Sequence, residues 1–161
     1  MTMNSDASSQ MPSIPPRPQL PDLAPARLRD PAEAVATRWQ QLLLVWRWDC
    51  ERHHAVHPGR AYPNVVALIE AAGTEPKLRQ LHPFTSHFRL CFSSRTSHPW
   101  SVRAPSIEPL RDGWFRVLHP RSPEVIGVTD TADAAVALAV ANLPAGLGPA
   151  VDSVEEGARD Q

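Results

Sequence analysis

Apolar positions recur along this chain with two different periods, and the switch between them separates helical from extended segments. Val35, Trp39, Leu42, Leu43, Trp46 and Cys50 fall at helical spacing. Leu44, Val45 and Trp48 lie off that stripe. A helix apolar nearly all round is buried on more than one side, so it either crosses the domain or meets a partner chain. Its start is written into the sequence: Asp30 stands at the N-cap, Pro31 at the first helical position and Glu33 three residues after the cap. Pro58-Gly59 closes it. A second helix is predicted from Pro63, carrying Val65, Val66, Leu68, Ile69 and Ala72, with Gly73 as a left-handed stop. Thr74 caps a short third turn through Leu78 and Leu81, ended by Pro83.

The period then changes to two. Phe88, Leu90 and Phe92 alternate with His87, Arg89, Cys91 and Ser93, the pattern of a half-buried strand. The stretch before it, His82 to His87, reads as a helix-to-strand corner with Phe84 in the core. Trp100–Val102 and Ile107–Leu110 read as extended, held to an edge or irregular role by Pro105 and Pro109. Asp112-Gly113 is a hairpin turn signal, followed by strands over Trp114–Leu118 and Glu124–Val128. Thr131 or Asp130 caps a last helix, Ala132–Leu143, which Pro144 and Gly146 end. The predicted fold class is α+β: N-terminal helices, a meandering antiparallel sheet of about four strands and a C-terminal helix.

Outside this pattern lie two polar ends. Residues 1–29 have six prolines between positions 12 and 25, no glycine and no apolar periodicity, so they read as a disordered leader. Within it Pro15-Pro16-Arg17-Pro18 has the composition of a polyproline II ligand for an aromatic groove, or of a plain linker. Residues 152–161 read as a disordered acidic tail, leaving 30–151 as one domain, which a length of 161 residues suits. The longest apolar runs, Leu42–Trp46 and Ala134–Ala141, fall far short of the roughly 20 residues that cross a bilayer. No secretory signal is apparent and the two cysteines make no disulfide framework, so the expected setting is the cytoplasm.

Charge changes the picture in the middle of the chain. The total is −1, but residues 77–121 carry eight cations against Glu108 and Asp112, while residues 122–161 carry seven acids against Arg159. Either the basic stretch attracts an anionic ligand or the acidic end neutralises it within the molecule. Four of the seven histidines, His57, His82, His98 and His119, precede proline and so spring from stiff positions. The densest polar cluster, His82-Pro83-Phe84-Thr85-Ser86-His87, leads into Arg89. One imidazole of the pair His82 and His87 could take a proton and the other give it, with Arg89 holding an anion. Thr85, Ser86, His98, Trp100 and Arg116 are the candidate binding residues around that group. Satisfied backbone carbonyls explain such histidines equally well. Cys91 is either a thiol activated by its basic neighbours or a small buried hydrophobe.

Cys50, His53, His54 and His57 have ligand-like side chains at one helix end, but no second group with metal spacing follows, so no metal is expected. Histidines favoured by a helix C-terminus are the simpler reading. There is no glycine-rich phosphate loop, GxSxG, CxxC, HExxH or zinc-deaminase signature, and no cofactor is implied.

Pro83-Phe84-Thr85-Ser86-His87, Phe92-Ser93 and Pro99-Trp100-Ser101, with Thr131-Ala132-Asp133-Ala134-Ala135-Val136-Ala137-Leu138, Leu143-Pro144 and Gly148-Pro149-Ala150-Val151, resemble a family of small uncharacterised proteins of high-GC bacteria labelled natural product biosynthesis proteins. The resemblance spans about residues 32–151 and implies a setting in specialised metabolism without an established activity or catalytic residue. The family pattern places a glycine after Thr-Ser-His, where Phe88 stands here, and a cysteine near Arg95, whereas the strand cysteine of this chain is Cys91.

Three functions follow as expectations. The first is an accessory protein, enzymatic or not, that acts on or binds an anionic or polar small molecule. The second is a non-catalytic partner-binding protein, for instance of a biosynthetic complex, using the aromatic first helix or the basic sheet face. Nucleic-acid binding is the third, and the near-neutral total charge argues against it.

Overall fold

The computed structural model describes residues 13–152. Five helices and five strands follow in the order α1 (Leu23–Arg29), α2 (Pro31–Val56), α3 (Val65–Thr74), α4 (Pro76–Arg79), β1 (His82–Ser86), β2 (Arg89–Ser93), β3 (Ser106–Pro109), β4 (Phe115–Leu118), β5 (Val125–Thr129) and α5 (Ala132–Ala141). The strands pair in chain order as one antiparallel meander, so the architecture is α+β.

The long helix starts where its sequence requires. The Asp30 carboxylate accepts from the Ala32 N–H at 3.0 Å, and Pro31 takes the first turn. Glu33 does not complete a capping box; it pairs with Arg29 instead. Order also begins earlier than the expected boundary at Asp30. Asp22 caps α1, Ala26 is buried, and Arg27 donates to the Thr96 carbonyl at 3.1 Å. A single buried alanine and one cap are weak sequence signals, and α1 is held by its packing on α2. Upstream of it the proline-rich stretch lies along α2: Trp48 Nε1 donates to the Pro15 carbonyl at 2.9 Å, and Arg17 sits 4.8 Å over the Trp48 ring. Gln41 Nε2 donates to the Pro21 carbonyl at 2.7 Å. The rest of the expected leader (1–12) and nearly all of the expected tail (153–161) lie outside the described residues.

One face of the sheet is the core. Leu90, Phe92, Ile107, Phe115 and Val117 point to it and meet Val35, Trp39 and Leu42 of α2, Leu68 and Ile69 of α3, and Val136 and Ala139 of α5. Trp39 is buried with both its needs met: the ring is packed, and its N–H is shared by the carbonyls of Arg79 and Leu81, each at 3.0 Å. Gly73 is not a left-handed stop but part of α3, which runs on to Thr74. A β-carbon there would lie 3.4 Å from the Trp39 ring, an ordinary van der Waals contact. Gly127 of β5 has a sharper demand, because a β-carbon would meet Leu138 of α5 at 2.8 Å.

The sheet has five strands where about four were expected. The extra one is β1, which had read as a corner. Its register pairs His82 with Ser93, Phe84 with Cys91 and Ser86 with Arg89. Pro83 is tolerated because β1 is an edge strand. Trp100–Val102 is not a strand; it belongs to the long β2–β3 connection. That loop is pinned by the buried Ser93, whose Oγ accepts from the N–H groups of Arg95 and Ser101 at 3.0 and 3.1 Å. The C-terminal segment closes over it, with Val151 bridging to Arg95.

Candidate functional site

In a meander of this kind the β1–β2 and β3–β4 turns lie at the same end of the sheet. The last turns of α2 and the connection to α3 reach that end as well, and a groove forms where they meet. The β1–β2 turn is two residues long, His87 and Phe88, with Ser86 and Arg89 as its closing pair. His87 has φ +56°, a left-handed conformation uncommon for a residue with a side chain. Phe88 turns inward and packs on Trp46 at 5.3 Å and edge-on against Tyr62 at 5.6 Å and 86°. The β3–β4 turn is closed by Leu110 N–H donating to the Trp114 carbonyl at 2.8 Å, with Gly113 at φ +88°, and it carries Arg111.

Two adjoining cavities follow. One, of about 460 Å³, is lined by His87, Phe88, Arg89, Glu108, Arg111 and Pro63 among others. The second, of about 480 Å³, shares Pro63, Phe88 and Arg111 and continues past His53, Arg60 and Tyr62. Both are of a size that suits small-molecule ligands.

The electrostatics of the first cavity are set on the sheet face away from the helices. Glu108 is the sole acid of its lining. Arg116, opposite it in the β3–β4 ladder, grips it through two nitrogens at 2.7 and 3.2 Å. Arg89 lies farther off, at 3.8 Å. One carboxylate between two guanidiniums leaves a net positive charge, and Arg89 is the less engaged cation. Tyr62, which lines the second cavity, donates to Asp49 outside that lining at 2.6 Å, and Arg52 pairs with Asp49 at 3.0 Å. Burial alone would raise the Asp49 carboxyl, but the Tyr62 hydroxyl and Arg52 outweigh it and hold it below the usual carboxylate range. Burial, with the Asp49 hydrogen bond and charge behind it, pushes the Tyr62 hydroxyl far upward, so it stays protonated.

The residues singled out from sequence divide into two groups. His87, Arg89 and Ser86 line the first cavity, and Arg116 joins it through Glu108. His82, His98 and Trp100 are elsewhere. His82 is buried at the far end of β1, with Trp100 stacked on it at 5.1 Å, and Phe84 and His98 meet the same indole at 5.2 and 4.4 Å. Burial, then the charges of Arg38 and Arg27, lowers the His82 imidazole to about 3. The expected proton-sharing pair therefore does not form: His82 stays neutral, and a strand of roughly 3.3 Å per residue separates it from His87. Thr85 is half-buried opposite Leu90 and does not line the cavity. Cys91 is buried, and burial, only partly offset by Arg89, pushes its thiol up to about 11, so it is the small hydrophobe rather than the nucleophile.

Sequence reasoning missed Arg111, Tyr62 and Phe88 as a group. The signal available for Arg111 was topological, since consecutive hairpins put alternate turns at one end. Among the described residues no cluster of His, Cys, Asp or Glu could hold a metal ion, and none of their helices is long and apolar enough to cross a membrane.

An α+β meander with a cationic, aromatic-walled groove at one end is the class the geometry defines. Residues 33–154 match DUF6193, a family of unknown function, and the chain belongs to that family. No curated protein matches the chain, and no solved structure does.

Proposed function

We propose that this chain binds a small anionic or polar metabolite in the groove between the α2 C-terminus and the β1–β2 and β3–β4 turns. The observation that carries the reading is the convergence of His87, Arg89 and Arg111 on one cavity whose single carboxylate, Glu108, is already gripped by Arg116. The positive φ at His87 supports it, because backbone strain of this kind clusters at active sites and ligand clamps. An accessory role in specialised metabolism is the reading we attach to this binding, as the resemblance to natural product biosynthesis proteins implies. With His82 sealed away, His87 is the histidine of the expected pair that lines this cavity.

The partner-binding alternative draws less support. Trp46 is packed on Phe88, and Trp48 is covered by the leader at Pro15 and Arg17, so neither ring is an open patch.

Calorimetric titration of the full chain with inorganic phosphate and with citrate tests the proposal. The expected outcome is measurable binding by at least one of them, weakened about tenfold, or about 1.4 kcal/mol, by Arg89→Gln and again by Arg111→Gln. No binding of either anion, or binding indifferent to both substitutions, sinks it.

A further inference from the structure

We propose that the ligand of this groove is a planar aromatic anion, with its ring in the pocket of His53, Tyr62 and Phe88 and its anionic group on Arg111, the cation that both cavities share. This rests on the anion-binding reading above and adds a ring to it.

The second cavity is unlike the first. Its walls are rings: Tyr62 faces His53 at 5.0 Å and 48° and meets Phe88 edge-on at 86°. Rings set at such angles offer both faces and edges, and a flat ring satisfies both by offset and edge-to-face contact. The polar groups around these walls are already engaged with one another. The Tyr62 proton goes to Asp49, and the Asp49 charge is met by Arg52. Tyr62 therefore contributes a ring wall, and no carboxylate is among the described residues that line this cavity.

The rim, in contrast, is left open. Arg60 and Arg111 are exposed, and neither pairs with a carboxylate among the described residues. Arg111 lines both cavities, so it stands where a charged group entering from the first meets a ring lying in the second. Nε2 of His53, on one of these rings, is shielded from solvent and has no hydrogen-bond partner, an exception among buried polar atoms. Phe88 itself argues in the same direction. Two-residue turns favour Gly, Asn or Asp, yet this one carries an aromatic ring that forms a wall of both cavities.

The experiment titrates the full chain with phenyl phosphate, inorganic phosphate and phenol, and records nuclear Overhauser effects to Tyr62, which is unambiguous as the only tyrosine. Phenyl phosphate is expected to bind about tenfold or more tighter than either fragment, the gain a buried ring provides. Its ring protons should show cross-peaks to Tyr62. Phe88→Leu should remove most of the gain, and Tyr62→Phe, which keeps the ring wall, should retain it. Equal binding of phenyl phosphate and inorganic phosphate overturns the ring pocket and leaves the anion site standing. Phenol binding as well as phenyl phosphate overturns the role of Arg111. Failure of all three probes overturns both this inference and the reading beneath it.

Discussion

The two ends of the β1–β2 hairpin place similar residues in opposite surroundings. At one end His82 lies in the sheet under Trp100, buried and held neutral. At the other, His87 stands exposed on a two-residue turn beside Arg89 and an open cavity. Both histidines begin as polar residues flanking a short strand. What separates them is cover: the long β2–β3 loop, pinned through Ser93, folds back over the first end, while His87 stays exposed among the described residues. A histidine's chemistry is thus decided by which loop lies over it, and the lesson is testable at both ends.

The largest expected effect is at the covered end. Trp100→Ala removes the ring that meets His82, Phe84 and His98, and should cost about 3 kcal/mol of stability in urea denaturation. Phe88→Ala, a half-buried ring at the open end, should cost less than half as much. Equal losses would break the contrast.

The second effect is a pH dependence. The folded imidazole of His82 is lowered to about 3, against 6.5 for the unfolded residue. Above pH 6.5 both states are neutral and the full stability is present. As pH falls from 6.5 toward 3, the unfolded chain takes up a proton that the fold refuses, and stability drops by up to about 1.4 kcal/mol per pH unit. His82→Phe, able to keep a stacked ring, should flatten the acid limb of unfolding curves recorded between pH 6.5 and 4.5. An unchanged slope would mean that His82 is not the sealed group described here.

The smallest effect sharpens the open end. Glycine adopts positive φ at no steric cost, so His87→Gly should raise stability by about 0.5 kcal/mol while weakening anion binding in the cavity. A gain in stability together with a loss of binding identifies a residue kept for its side chain. If stability falls, the imidazole is a structural part of the turn.

Much of the fold was legible because its signals are local. Asp30-Pro31 announced α2, the alternation Phe88-Leu90-Phe92 announced β2, and Asp112-Gly113 announced the β3–β4 turn. What stayed illegible has tertiary causes. In β1 the period-two signal is blurred because His82 and Phe84, on the face away from the helices, are covered by Trp100 rather than by solvent. Gly73 reads as a helix stop, yet α3 runs through it to Thr74 and packs it beside the Trp39 ring of another helix. Helix α1 was hidden in a proline-rich composition and is held by contacts with α2 and with the Thr96 carbonyl.

The candidate site divides in the same way. Sequence alone determined that the middle of this chain is basic and rich in histidine, that His87 and Arg89 bracket the start of a strand, and that no familiar catalytic or metal motif is present. Only the tertiary structure decided that Arg111 and Tyr62 join them, that His82 and Trp100 do not, and that Cys91 is buried. The physical reason is that helix and strand periods are set by neighbours in the chain, whereas charge, burial and proximity at a groove depend on segments that meet only when the sheet and its loops have closed.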